Sequence, residues 1–164
     1  MRNYIFIFII YSTYISLGLP DSLLGVAWPE MVGEFRVTYS AAGVISMTIA
    51  ICTVISSLQA IRITAKIGTG KLVFGSVLLS VIGLLGFAFT HNFYLLILAA
   101  LPLGFGAGAI DASVNDYVAV NFKAHHMNWL HAFWGIGATS GPIILGVMLN
   151  NHFSWRNGYM IIGS

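Results

Sequence analysis

Charged side chains are scarce in this sequence. Lys, Arg, Asp and Glu together make up 7% of the 164 residues, whereas they account for about a quarter of a typical soluble domain. Hydrophobic residues make up 58%, and the mean hydropathy is +0.89. The net charge of +2 is too small to indicate nucleic acid as a partner. The composition therefore excludes a soluble domain and indicates a protein of the lipid bilayer.

Cysteine is nearly absent as well. Cys52 is the single one, so no disulfide can form within the chain, and we expect it to act as a small packing residue in its apolar segment. His125, His126 and His131 lack a Cys, Asp or Glu at ligand spacing, and "GTGK" at 68–71 lacks the outer Gly and the Ser/Thr of a phosphate-binding loop. No nucleophile and base lie at a useful spacing. The sequence therefore predicts no enzyme, no cofactor and no metal site.

Long apolar runs make up most of the sequence, and ~20 residues suffice for one crossing of a bilayer. Five complete segments and the start of a sixth are separated by polar loops. They run from Tyr4 to about Ala27, Ser40 to about Ile61, Leu72 to Thr90, Phe93 to about Val120 and Met127 to Leu149, and "GYMIIGS" begins the sixth. Trp28-Pro29 is expected to end the first segment, since an aromatic residue and a helix-ending proline suit a membrane boundary. The sequence thus predicts an all-α, polytopic transmembrane helix bundle.

Lys and Arg in the loops predict the orientation. With the N-terminus inside, five of them lie on the inner side: Arg2, Arg62, Lys66, Lys71 and Lys123. Two lie on the outer side: Arg36 and Arg156. This asymmetry favours a protein of the cytoplasmic membrane whose N-terminus lies on the inner side. The alternative for the first residues is a signal peptide, but the apolar segment continues to Ala27, which is long enough to span.

Polar residues in the fourth segment form a stripe. Gly104, Gly108, Asp111 and Asn115 step by 4, 3 and 4 residues and share one helix face. The glycines would allow a neighbouring helix to approach closely. A carboxylate at this depth is costly, by roughly 2.5–3.5 kcal/mol, and marks a functional site; the alternative is a purely structural hydrogen bond. Asp116 lies about 140° around the helix and is expected to be solvated.

The first segment repeats this spacing in Tyr14, Gly18, Asp21 and Gly25. Pro20 removes a backbone hydrogen bond beside Asp21, which bends the helix and creates a polar spot. The alternative is that Asp21 simply reaches water at the outer end. At about 1.5 Å per residue, Asp21 and the acid of the fourth segment differ by roughly 15 Å in depth. They would be two stations on one aqueous path, of which either could carry a proton.

The fifth segment places Asn128, His131 and Gly135 on one face, flanked by Trp129 and Trp134. Aromatic rings beside amides and carboxylates suit a sugar or another small polar solute, although Trp129 near the inner boundary also fits an interfacial belt. The residues expected to support close packing or bending are Gly18, Pro20, Gly25, Gly104, Gly108, Gly135, Gly137, Gly141 and Pro142.

Four stretches resemble motifs of a known family. In chain order they are "LPDSLLGVAWPEM", "GFGAGAIDASVNDYV", "NWLHAFWGIGATSGP" and "SWRNGY". They resemble the first, fourth, fifth and sixth helices of the N-terminal half of major facilitator superfamily transporters, most closely the fucose:proton symporter branch of sugar carriers. Asp21 and Asp111 fall at the acidic positions of the first two motifs, and Asn115 falls at the Asn of the second. The resemblance covers nearly the whole chain.

Two departures from the family pattern accompany this resemblance. The inner loop motif G-x-x-x-D-R-x-G-R carries Ile61, Ala65 and Lys66 at its first Gly, Asp and Arg, and it keeps Gly68. The helix-four acid, Asp111, is an Asp where the best-known fucose carriers have Glu, which shortens its reach and leaves the sugar open.

The resemblance implies that residues 1–164 are the incomplete six-helix N-terminal half of a twelve-helix transporter whose C-terminal half is absent. The implied function is secondary active transport of a sugar or similar solute by alternating access, coupled to protons or sodium. Asp21 would accept a proton or a substrate hydroxyl on the outer side, and Asp111 would be the coupling carboxylate. Asn115 and Asn128 would bind substrate. Helices one and four should face the cavity together.

The third segment has no charged residue between Leu72 and Thr90, which predicts that it lies outside the cavity and faces lipid.

Two alternatives to a fragment of a transporter stay open. One is a half-size carrier that dimerises. The other is a membrane protein that does not transport and uses its carboxylates for helix packing.

Overall fold

A computed structural model of the protein describes residues 2–164, with side chains from Ile7 onward. This part of the chain forms seven α-helices and no strand. They are α1 (Arg2–Gly18), α2 (Leu23–Phe35), α3 (Ala41–Ile67), α4 (Thr69–Phe89), α5 (Phe93–Asn121), α6 (Ala124–Asn150) and α7 (Trp155–Gly163). Five segments are long and apolar enough to cross a membrane: Ile7–Phe35, Ala41–Ile67, Thr69–Phe89, Phe93–Asn121 and Ala124–Asn150. The predicted all-α transmembrane bundle is confirmed.

The first span differs from the prediction. It does not end at Trp28-Pro29, because α2 continues through Pro29 to Phe35 and the interruption lies earlier, in a turn at residues 19–22. The "EMVGEF" stretch, predicted to be a loop, is therefore helical. Trp28 and Met31 are buried in the core on one face of this region. Their packing holds the helix together past a proline that would otherwise end it.

The second and third spans are joined by a single residue. The predicted loop "RITAKIGTGK" is wrong, since α3 extends to Ile67 and α4 begins at Thr69. Gly68 between them has φ of +86°, a conformation that glycine adopts without strain. The 27 residues of α3 span about 40 Å, more than the ~30 Å of hydrocarbon in a bilayer. The helix is thus longer than the hydrocarbon layer, and Lys66 lies in its last turn.

The packing of the bundle is organised around α5, which lies against both α3 and α4, while α1 packs on α6. A Cβ on Gly104 would lie 2.5 Å from the carbonyl oxygen of Ile49, and one on Gly108 would overlap the backbone of Thr53. Three hydroxyls of α3 also donate hydrogen bonds to carbonyls of α5: Thr53 to Gly104 (3.2 Å), Ser56 to Phe105 (2.6 Å) and Ser57 to Gly108 (3.1 Å). Close backbone contacts at small residues and hydrogen bonds from hydroxyls thus hold these helices together, in place of hydrophobic burial.

The third span, α4, is predicted to lie outside the cavity, but only one of its sides does so. One side of α4 exposes Phe74 and Ile82, as a lipid-facing side would. Its other side buries Phe87 in the core and presents Val77 and Ser80 to the cavity described below. The absence of charge did not place this helix outside, because serine and small apolar residues line a cavity as readily as they face lipid.

A polar cluster ties three helix ends together at one end of the bundle. The Arg156 guanidinium at the start of α7 donates to Oε2 of Glu34 at the end of α2 (2.5 Å) and to the carbonyl of Thr90 after α4 (2.6 Å). The Trp155 indole also donates to Oε2 of Glu34 (3.0 Å), and the guanidinium lies 3.2 Å from Nδ1 of His91. We call these five residues the Arg156 cluster.

Candidate functional site

The break in the first span exposes a carboxylate. Between α1 and α2, Asp21 N donates to Gly18 O (3.2 Å) and Leu23 N donates to Pro20 O (3.2 Å), which are the bonds of tight turns rather than of an α-helix. Pro20 has no N–H to donate. The Asp21 side chain leaves the helix axis here and is exposed. Its Oδ2 accepts a 2.8 Å hydrogen bond from Nε1 of Trp134 on α6.

Glycines bring α6 against this break. A Cβ on Gly137 would overlap the carbonyl of Ile15, and one on Gly141 would overlap that of Leu19. On α1, a Cβ on Gly18 would overlap the carbonyl of Trp134. The backbones of α1 and α6 therefore touch directly, and this contact sets the Trp134 indole beside Asp21.

The structure gives different results for the other glycines and prolines that were predicted to support close packing or bending. Pro142 lies inside α6, which is described as one helix from Ala124 to Asn150. At Gly25 and Gly135, a Cβ would meet no atom within 4 Å. No described helix therefore packs closely against Gly25 or Gly135, and close packing at these two positions stays a prediction.

A cavity of about 630 Å³ opens beside the break, within the 300–1,000 Å³ typical of small-molecule sites. Helices of the first, second, third and fourth spans line it together with α7. Most of the lining is apolar. The polar side chains of the lining are Thr13, Ser16, Asp21, Ser46, Ser80, Tyr159 and Ser164. The Ser80 hydroxyl is buried against Gly106 of α5 and has no hydrogen-bond partner among the described residues.

Asp111 lies outside this cavity, in a separate polar cluster. Its Oδ1 accepts hydrogen bonds from the Tyr14 hydroxyl (3.1 Å) and from Nδ2 of Asn115 (2.9 Å). No described residue hydrogen-bonds to its Oδ2, and none of its partners is a Lys or Arg. The amide oxygen of Asn115 is buried and likewise has no partner in this part of the chain. The structure thus brings together Asp111 and Asn115 as one unit and keeps Asp21 apart from them.

The remaining predicted site residues lie on the open side of α6. Asn128 and His131 are exposed, and neither hydrogen-bonds to another described residue. Asp116 is exposed, as expected for a solvated residue. The first and fourth spans both line the cavity, as predicted. The first span does so through Asp21. The fourth span, α5, does so through residues such as Ala107, whereas its acid, Asp111, does not line the cavity.

Sequence reasoning missed the aromatic partners of both carboxylates. Tyr14 belongs to the stripe of the first segment, and its position seven residues before Asp21 gives no sign that its hydroxyl reaches α5 instead. Trp134 is 113 positions from Asp21, and nothing local pairs the two. The bond of Tyr11 to Nδ1 of His126 (2.6 Å) was missed for the same reason.

Comparison with known proteins identifies the family of this chain. The profile of the Major Facilitator Superfamily matches residues 10–164. The chain belongs to this superfamily of membrane transporters, and it is not an enzyme. The match does not identify the fucose branch within the superfamily.

Two relatives show the range of similarity. A glucose/mannose transporter of Bacillus subtilis, GlcP, is 35% identical over 71 residues, covering 41% of this chain and 18% of the relative. An uncharacterized MFS-type transporter of Mycobacterium tuberculosis is 24% identical over 164 residues, covering 98% of this chain and 23% of the relative. The matched regions thus amount to about a fifth of the length of these curated relatives.

Proposed function

We propose that the protein takes part in secondary transport of a sugar or a similar small polar solute across the cytoplasmic membrane, coupled to protons and working by alternating access. The observation that carries the proposal is the Asp21 carboxylate, exposed at the break in the first span and lining a cavity of about 630 Å³. The sugar class is supported by the 35% identity to a part of a glucose/mannose transporter.

Asp21 is proposed to accept a substrate hydroxyl. Its Oδ2 is held by Trp134, and its Oδ1 has no hydrogen-bond partner among the described residues. A carboxylate oxygen that is fixed in place and unpaired is a strong acceptor for a hydroxyl donor. The indole ring of Trp134 is 39% exposed beside it and offers an apolar surface to the C–H face of a sugar.

Asp111 is proposed to be the proton carrier. It is half-buried, and its hydrogen-bond partner Tyr14 belongs to an apolar cluster that also holds Ile110 of α5 and Leu130 of α6. No described Lys or Arg bonds to Asp111, and no described residue hydrogen-bonds to its Oδ2.

The amides and the histidine have subordinate roles in this proposal. Asn115 orients Asp111 through its amide N–H, and its own amide oxygen is buried and has no partner among the described residues. Asn128 and His131 extend the polar surface along α6 towards the solute. We also propose that the N-terminus is inside, with the basic ends of α3 and α4 in the cytoplasm, and that residues 1–164 form part of a longer transporter whose second half supplies the opposite wall.

The test is uptake of labelled glucose, mannose and fucose by cells that produce the protein from its complete gene. Asp21→Asn removes the charge and keeps the shape, and we expect it to reduce apparent affinity by about 10- to 100-fold, since a hydrogen bond to a charged group is worth about 1.5–3 kcal/mol. Asp116→Asn is the matched control, because it makes the same change on an exposed helix face. Equal uptake by both variants would overturn the role of Asp21.

A further inference from the structure

Tyr159 of α7 lines the cavity beside the break in the first span, and its hydroxyl has no hydrogen-bond partner among the described residues. The side chain is only 1% exposed. A tyrosine hydroxyl in a buried side chain normally finds a partner, because an unpaired one loses its hydration without compensation. Tyr14 is buried to the same extent and follows this rule, since its hydroxyl donates to Asp111. The Tyr159 hydroxyl thus departs from a rule that Tyr14 obeys.

The ring of Tyr159 is held in place by two aromatic neighbours. It stacks on Phe87 of α4 with the ring centroids 5.1 Å apart. It also packs at an interplanar angle of 89° against Trp155, with the centroids 5.9 Å apart. The Trp155 indole is itself fixed by its 3.0 Å hydrogen bond to Glu34 in the Arg156 cluster. The hydroxyl therefore has one position, and a ligand that bonds to it causes little further loss of side-chain freedom.

The other hydroxyls of the cavity lining are less suited to select a ligand. Thr13 and Ser164 already donate to carbonyls of their own helices, and the Ser80 hydroxyl is buried. Ser16 and Ser46 are exposed and bond to no described residue, but a serine hydroxyl rotates to suit its partner. The phenol therefore combines an unpaired hydroxyl with a fixed position, which these side chains do not.

We propose that the Tyr159 hydroxyl binds one hydroxyl of the solute and so determines which position of a sugar must carry a hydroxyl. A phenol can donate to such a group or accept from it, and an analogue without that group leaves the phenol unpaired. Asp21 lines the same cavity and provides a second, charged contact. The inference rests on the proposed function in one respect, that this cavity holds the solute.

The test compares affinities for glucose and for the monodeoxy analogues that each lack one of its hydroxyls. Each ligand competes with the uptake of labelled glucose by cells that produce the protein from its complete gene. Tyr159→Phe removes the hydroxyl and keeps the ring. We expect this variant to bind glucose about 3- to 10-fold more weakly, as for the loss of one neutral hydrogen bond. One analogue should bind both proteins equally, because it lacks the hydroxyl that the phenol contacts.

The unfolding temperature without sugar separates ligand binding from a structural role. Tyr159→Phe removes an unpaired hydroxyl, so we expect its unfolding temperature in detergent to be unchanged or raised. Tyr14→Phe is the matched comparison, because Tyr14 is equally buried but its hydroxyl is paired. We expect Tyr14→Phe to lower the unfolding temperature by about 2–4 °C. An equal fall in Tyr159→Phe would mean that its hydroxyl has a partner within the protein, which overturns the inference.

The binding experiment can overturn the inference in two further ways. One is an equal loss of affinity for glucose and every analogue in Tyr159→Phe, or no loss for any of them. The other is an unsubstituted protein that binds every monodeoxy analogue as tightly as glucose, a result that needs no variant. If the unsubstituted protein binds no sugar, the proposed function fails and the inference fails with it. If it binds glucose and Tyr159→Phe changes nothing, the inference alone is wrong.

Discussion

The indole N–H of Trp134 donates a 2.8 Å hydrogen bond to Oδ2 of Asp21, so a residue of α6 holds the carboxylate at the break in the first span. The bond exists because Gly18, Gly137 and Gly141 let the backbones of α1 and α6 touch. Three features that look separate in the sequence, a proline break, an acid and a glycine-rich helix, are therefore one structural unit.

Removing the indole donor should weaken solute binding without unfolding the protein. Trp134→Phe keeps an aromatic ring but loses the hydrogen bond to Asp21, which is worth about 1.5 kcal/mol or more. We expect the KM for sugar uptake to rise by about 10-fold. The control is Trp129→Phe, because Trp129 is exposed and bonds to no carboxylate among the described residues. Equal KM values for the two variants would show that Trp134 does not position Asp21.

The glycine contact gives a sharp comparison within one helix. Gly137→Ala places a methyl group on the carbonyl of Ile15, whereas Gly135→Ala places one in open space. We expect Gly137→Ala to lower the stability of the protein by about 1–3 kcal/mol through overpacking. Gly135→Ala should be neutral or stabilising by up to about 1 kcal/mol, since alanine favours the helix. Thermal unfolding in detergent measures both, and a similar result for the two would contradict the α1–α6 contact.

The Arg156 cluster should depend on the shape of the guanidinium as well as on its charge. Arg156→Lys keeps the cation but cannot reach Glu34, Thr90 and His91 at once. We expect a loss of about 1–2 kcal/mol, reduced from a fully buried value because the Glu34 side chain is 37% exposed. Arg36→Lys is the control, since that side chain bonds to no described residue. Chemical denaturation is the measurement, and unchanged stability in Arg156→Lys would count against the cluster.

The sequence predicted those structural features that depend on residues close together in the chain. Asp111 and Asn115 were placed on one face by their spacing of four, and they do form a 2.9 Å hydrogen bond. The five spans followed from apolar content alone. The helix ends failed where packing or length overrode local signals, as at Pro29 inside α2 and at Gly68 as the single residue between two helices.

The aromatic partners of the two acids could not have been found in this way. Tyr14 is 97 positions from Asp111 and Trp134 is 113 from Asp21, so only the packing of α1, α5 and α6 pairs them. The stripe of the fourth span also divides in the structure. Gly104 packs on α3, while Asp111 turns towards α1, because a helix with neighbours on several sides distributes one stripe among them.

The central claim is that solute movement carries a proton through Asp111. Its most direct test is the change in external pH when sugar is added to lightly buffered, energy-depleted cells that produce the protein from its complete gene. The account predicts alkalinisation as protons enter with sugar, and loss of this signal in Asp111→Asn while exchange of preloaded sugar continues. Alkalinisation of equal size in Asp111→Asn, or sugar uptake with no proton movement in the unsubstituted protein, would contradict it.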